Sequence, residues 1–194
     1  MEYDWEHRVD TTSGTVGWRE RLLGVFHSPY QPTDPAAFRE MMAALGVAME
    51  VDFPEFTFID LGSGKGRTLL MASEYPFKKI VGVEVLPRLH RAAEANIAAY
   101  LARESPASAA TIESVCLDAR EFVFPGTPLV LYLFNPLPEP GLRQVIRNLE
   151  NSCRKAPRSV WILYHYPESE VAIAQSPLWE RVSQTSQYSV YRTK

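Results

Sequence analysis

The 194 residues suffice for one domain with an appendage and fall short of two ordinary domains. With 46% hydrophobic and 22% charged residues the composition is globular, which excludes a disordered chain. A net charge of −3 without a run of basic residues carries no nucleic-acid footprint, and apolar runs such as Leu129 to Phe134 are far below the ~20 residues of a membrane span. The acidic start, Met1-Glu2-Tyr3-Asp4-Trp5-Glu6, lacks the apolar stretch of a secretory leader, so a cytoplasmic protein is expected.

Residues 1 to 33 mix Thr, Ser, Gly and aromatics without a sustained period, the pattern of an irregular arm that orders against a domain or ligand. Asp34-Pro35 then supplies an N-cap and a proline at the first helical position; Phe38, Met41, Met42 and Leu45 fall at i, i+3, i+4 and i+7, and Gly46 is expected to stop the helix. From Phe56 short apolar runs alternate with helical stretches, which predicts β-α-β units and a parallel sheet. The expected strands are Phe56 to Asp60, Ile80 to Val85, Thr111 to Leu117, Leu129 to Phe134 and Ser159 to Tyr164, followed by a hairpin of Trp179 to Gln184 and Tyr188 to Arg192. Leu89, Ala93, Ile97 and Leu101 mark one intervening helix. Leu142, Val145, Ile146, Leu149 and Cys153 mark another, whose Arg147-to-Lys155 charges should face water. Cys116 and Cys153 read as small core residues, and the four histidines have no ligand-like spacing, so no metal is expected.

The segment Phe58-Ile59-Asp60-Leu61-Gly62-Ser63-Gly64-Lys65-Gly66-Arg67 runs from an apolar strand through three glycines into a helix expected to begin near Lys65. Glycines let backbone approach a ligand closely, and a helix start presents free N–H groups. A phosphate-cradling G-x-x-x-x-G-K-[ST] loop is excluded because Gly66 follows Lys65. A dinucleotide G-x-G-x-x-G loop is weakened because Arg67 stands at the third glycine. What remains, Asp60-x-Gly62-x-Gly64-x-Gly66, resembles the first motif of the class I S-adenosylmethionine-dependent methyltransferases. Glu84 ends the second strand about 20 residues further on, where a carboxylate can accept from both hydroxyls of a ribose. Asp118 ends the third strand, and Phe134-Asn135-Pro136-Leu137 the fourth, in the order of that family's later motifs.

The resemblance implies a Rossmann-like α/β fold with a mostly parallel seven-stranded sheet, an antiparallel last strand and helices on both faces. It implies S-adenosyl-L-methionine as cofactor, with Asp60, Gly62, Ser63, Gly64 and Gly66 at its methionine end. Glu84 and Val85 would then lie at the ribose, Asp118 and Ala119 at the adenine, and Phe134 and Asn135 near the methyl group. Asn135, Tyr30 and His165 are the candidates for catalysis. Tyr30 stands in the arm, and His165 lies beyond the fifth strand with a pKa suited to a base. Asn135-Pro136-Leu137-Pro138 departs from the [DN]-P-P-[YFW] of nucleic-acid amino methyltransferases, so a small molecule or a protein side chain is the expected acceptor rather than a nucleic acid. Residues 1–50 then form an arm and helix acting as a lid, similar to a bacterial branch of the family, and 51–194 the cofactor-binding domain. A non-catalytic module binding S-adenosylmethionine or a nucleotide is the alternative, and a dehydrogenase is disfavoured by Arg67.

Overall fold

A computed structural model describes residues 2–12, 31–48, 51–104, 106–107 and 111–194. Tyr30 lies outside the described residues. Seven strands, β1 (Thr57–Leu61), β2 (Lys79–Glu84), β3 (Thr111–Cys116), β4 (Leu129–Leu133), β5 (Val160–His165), β6 (Trp179–Gln184) and β7 (Tyr188–Thr193), form one sheet in the order β3-β2-β1-β4-β5-β7-β6. The first five pair in parallel, and β7 runs antiparallel to both β5 and β6. Each strand is where the apolar runs predict it, with ends shifted by at most a residue.

The α-helices among the described residues are α1 (Glu2–His7), α2 (Pro35–Ala43), α3 (Arg67–Ala72), α4 (Pro87–Leu101), α5 (Glu139–Lys155) and α6 (Val171–Ala174). Every residue of β1, β4 and β5 is buried, because helices cover both faces. One apolar layer joins Phe58, Ile80, Val130, Tyr132 and Leu163 to α2, α3 and the end of α4. The other joins Ile59, Val81, Leu131 and Ile162 to α5 and α6. Phe38 from α2 is fully buried in the first layer, edge-on to Phe58 and Tyr132 at 5.9 Å each.

Several expectations are corrected. The arm is not irregular throughout, since α1 lies within it. Gly46 does not stop the α2 stripe. A π turn, Ala44–Ala48, carries the chain on, keeping Leu45 buried and setting Gly46 against the Phe53 ring, where a Cβ would stand 3.2 Å away. The helix after the glycine loop begins at Arg67 rather than Lys65, because Gly66 is left-handed at φ 83°. On α4, Tyr100 takes the core position expected of Leu101, which is exposed. Cys116 is exposed on the edge strand β3, whereas Cys153 is buried. Glu150 does not face water: it is buried on α5 and accepts a hydrogen bond from Trp179 Nε1 at 3.1 Å.

Both sheet edges carry charge. Lys79 pairs with Glu113 across β2 and β3 at 2.6 Å, and Arg192 pairs with Glu180 across β7 and β6 at 2.9 Å.

Phe38→Ala should cost about 3–5 kcal/mol, since it empties an aromatic volume between α2 and the sheet. Urea unfolding at constant slope measures it, and a loss under 1 kcal/mol would show that α2 is not part of the core.

Candidate active site

The strand order reverses between β1 and β4, so the crevice beyond their carboxyl ends is where an open α/β sheet binds ligands. The glycine loop lies there. Gly62, Gly64 and Gly66 all have positive φ, at 81°, 56° and 83°. At Gly62 a Cβ would also stand 2.9 Å from Pro136 Cβ, so the loop and the segment after β4 approach as closely as only glycine permits.

Glu84 ends β2 and is 2% exposed. Its Oε2 accepts from Gly64 N at 2.9 Å and its Oε1 from Leu86 N at 2.8 Å. Burial raises its pKa, and these N–H groups work against the rise. Each oxygen thus accepts from a backbone N–H, and Val85 N–H adds to the groups that favour the charged form. The carboxylate borders a cleft of about 260 Å³ whose floor includes Gly62, Val83, Val85, Asp118 and Ala119. Its other wall is Pro136, Leu137 and Pro138, which belong to the motif after the fourth strand, together with Pro140 and Gly141, which no sequence motif marks.

Asp118 lines the cleft but also caps a turn. It accepts from Arg120 N at 2.8 Å, and the Arg120 guanidinium, foremost among the causes, lowers its pKa. Ser63, Gly64 and Gly66 do not line the cleft. The Ser63 hydroxyl sits over Gly82, where a Cβ would come within 2.6 Å of it.

Asp60 is buried behind the loop and accepts a short hydrogen bond from Thr68 Oγ1. Burial pushes its pKa up to about 7, against the Thr68 bond and helped by the nearby Glu84. The arm reaches this loop from outside. Arg67, 6% exposed, donates from Nε to Thr11 Oγ1 at 2.6 Å and from a terminal nitrogen to Asp4 Oδ1 at 3.0 Å, and its guanidinium lies 5.3 Å from the Tyr3 ring centre. Lys65 Nζ meets Asp10 Oδ2 at 2.8 Å, and Asn96 Nδ2 donates to the carbonyls of both Asp10 and Lys65. Asp4 is held to a pKa of about 2, because bonds from Thr11, Thr12 and Arg67 outweigh its burial. None of these long-range partners has a local sequence signature.

On the β4–β5 side, Phe134, Asn135 and His165 come together. Asn135, at φ 45°, donates from Nδ2 to Tyr166 O at 2.7 Å and accepts at Oδ1 from Tyr164 OH at 2.9 Å. Its amide therefore fastens the two strand ends and is engaged on both sides. His165 is 1% exposed, between Phe134 and Tyr166 with ring centres 4.5 Å from each.

No protein-family model and no curated protein matches the sequence. Solved structures do. A magnesium protoporphyrin IX methyltransferase from Synechocystis PCC 6803 with bound SAH has TM-score 0.56 at 11% identity, over 100% of this chain and 94% of that one. The chain has the class I S-adenosylmethionine-dependent methyltransferase fold. The same methyltransferase fold is seen in an RNA methyltransferase from Salinibacter ruber in complex with S-adenosyl-L-homocysteine (TM-score 0.52, 21% identity, 84% of this chain and 92% of that one). It is seen again in a ribosomal protein L11 methylase from Lactobacillus delbrueckii subsp. bulgaricus (TM-score 0.53, 17% identity, 80% and 77%). Seven strands with an antiparallel last strand are thus the expected architecture of this fold, in a protein with no described helix long and apolar enough to cross a membrane.

Two outcomes follow for the buried ions. Arg67→Ala leaves Asp4 half-buried without its cation and should cost about 3 kcal/mol, with faster amide exchange across residues 2–12; protection unchanged there would mean the arm is held by other contacts. Asp60 is an acid whose folded pKa lies above its unfolded value of 3.8, so the folded state binds the extra proton between about pH 4 and 7 and stability falls as pH rises through that window. His165, with its folded pKa lowered, has the opposite slope below its ordinary value, so the contrast of wild type with Asp60→Asn isolates the Asp60 effect. Relative to Asp60→Asn, wild type should lose urea resistance between pH 4 and 7, and parallel curves would place Asp60 in water.

Proposed function

We propose that this protein transfers a methyl group from S-adenosyl-L-methionine to a small molecule or a protein side chain in the cytoplasm. The observation that carries the reading is Glu84: a buried carboxylate, fixed by backbone N–H groups of Gly64 and Leu86, at the edge of a cleft that Gly62 also lines. That is the acceptor geometry a vicinal diol needs. When bound, the sulfonium would supply an already activated methyl group, so the chain need only align the acceptor, exclude water and manage a proton.

Gly62 would let the methionine end approach β1, with Asp60 behind the loop. Val85 would stand with Glu84 at the ribose, and Asp118 and Ala119 would flank the adenine, for which Asp118 stays partly engaged with Arg120. Ser63, Gly64 and Gly66 would act by shaping the loop rather than by touching the cofactor, and residues 1–50 would act as a lid over it. Neighbours of this fold bear names that point to a porphyrin, an RNA and a ribosomal protein, so the fold alone does not choose the acceptor. The charge of −3 and the altered Asn135-Pro136-Leu137-Pro138 favour a small molecule or a protein. Arg67, anchored by the arm, occupies the place of the third glycine that a dinucleotide would need.

Calorimetry should show binding of S-adenosylmethionine and S-adenosylhomocysteine in preference to NAD. Glu84→Ala should weaken that binding by more than about 1.5 kcal/mol, through loss of charge-assisted bonds to the ribose. Preference for NAD, or no binding of the sulfur ligands, would refute the reading.

A further inference from the structure

His165 is the one described histidine with a ring nitrogen that is both deeply buried and unpartnered beside the strand ends of the crevice: Nε2 has no hydrogen-bond partner among the described residues. Its other nitrogen, Nδ1, lies 2.9 Å from Tyr132 OH, and that hydroxyl lies 2.7 Å from Thr33 Oγ1. Tyr132 is buried on β4, directly across from Asp60 on β1, and Thr33 comes from the segment that leads into α2. The imidazole is thus tied through Tyr132 to the segment before α2.

Two proton arrangements satisfy these distances. In one, Tyr132 donates to Nδ1 and the ring proton sits on Nε2, a buried N–H without an acceptor. In the other, Nδ1–H donates to the Tyr132 oxygen, Tyr132 donates to Thr33, and Nε2 keeps a bare lone pair. Orphaned buried N–H groups are rarer in folded proteins than under-used acceptors, which favours the second. Only the second leaves a proton acceptor.

We propose that Tyr132, backed by Thr33, fixes His165 in the Nδ1–H tautomer, so that Nε2 takes the proton of the methyl acceptor. His165 is then the base, and Tyr132 and Thr33 are positioning residues. This rests on the methyl-transfer reading above. As the acceptor atom gains the methyl group, its proton passes to Nε2, the sulfur keeps the electron pair of the broken carbon–sulfur bond, and the imidazolium returns the proton to solvent when the product leaves.

Place and charge agree. The cofactor cleft runs from the ends of β1, β2 and β3 to Pro136–Gly141 after β4; Phe134 and His165 stand outside its lining, at the ends of β4 and β5, which is the side left for the acceptor. The groups facing the ring among the described residues are Tyr132 from β4, Phe134 just beyond it, Tyr188 paired opposite it on β7, Tyr166 beyond β5, and, more distantly, Asp34 before α2. Burial lowers the His165 pKa to about 4 and Asp34 opposes this only weakly, so the ring is neutral at pH 7, as a base must be.

The test uses the full chain labelled with 15N in its histidine rings, with S-adenosylhomocysteine added, and identifies His165 by the signal absent from His165→Gln. At pH 7.5 long-range 1H–15N spectra should show Nδ1 as the protonated, pyrrole-type nitrogen and Nε2 as pyridine-type, and Tyr132→Phe should move the proton to Nε2. A wild-type ring protonated on Nε2, or a tautomer that Tyr132→Phe leaves unchanged, overturns the proposal.

Activity is read with tritiated S-adenosylmethionine and a fractionated cell lysate. His165→Gln should keep its calorimetric affinity for S-adenosylhomocysteine while losing about 100-fold or more in labelling of the fraction that wild type labels. Tyr132→Phe should lose less and show an altered pH profile. Equal labelling by His165→Gln overturns the base assignment. Failure of wild type to bind the donor, or binding with no labelled product, overturns the transfer reading instead, and the nitrogen shifts still judge the tautomer separately.

Discussion

The bond from Gly64 N–H to the Glu84 carboxylate is the constraint on which the crevice depends. A carboxylate that is 2% exposed is tolerable only where donors replace the water it has lost, and here two backbone N–H groups do so from opposite sides. Gly64 belongs to the loop after β1 and Leu86 to the turn after β2. One side chain therefore sets the spacing between two strand ends and holds the loop in the left-handed conformations that its glycines allow. Gly62 N and Ser63 N both donate to Val83 O, which ties the same loop to the same strand a second time. The cleft floor is consequently made of backbone that cannot drift, which is what a site that works by alignment requires.

The second organising contact comes from far away in sequence. Arg67 opens α3, yet its guanidinium belongs to the arm, meeting Asp4 and Thr11 more than fifty residues earlier. A cation this buried costs free energy unless every donor is used, and the arm supplies acceptors and an aromatic face together. The loop is thereby gripped from within by Glu84 and from without by α1 and the residues that follow it.

How much of this was legible in the sequence follows from the range of each interaction. Buried parallel strands read as continuous apolar runs, so β1 to β5 were visible, and the turn residues of the β6–β7 hairpin made it visible too. Asp60, the glycines and Glu84 stand out in the sequence because an apolar strand running into alternating glycines, and a carboxylate ending the next strand, are local patterns. The double use of Asp118, as cleft wall and turn cap, was half legible, since the cap is local and the Arg120 clasp needs coordinates. In the sequence Arg67 stands only where a glycine is missing, and Tyr132 only as an apolar strand residue, because nothing local announces a partner 56 or 33 positions away. Cys116 and Leu101 were misassigned because an apolar residue on an edge strand or at a helix end has the same letter as one in the core.

The ion pairs across the outer strands bear on where the sheet ends. A sheet with open edges offers unpaired N–H and C=O groups to any extended chain, including a second copy of itself. Here β3 presents Glu113 tied to Lys79, and β6 presents Glu180 tied to Arg192, so a strand arriving at either side would have to strip charge from water before it could form a ladder. The crevice ends of the strands are thus the part of the sheet left free to meet other molecules, and the flanks are kept out of circulation.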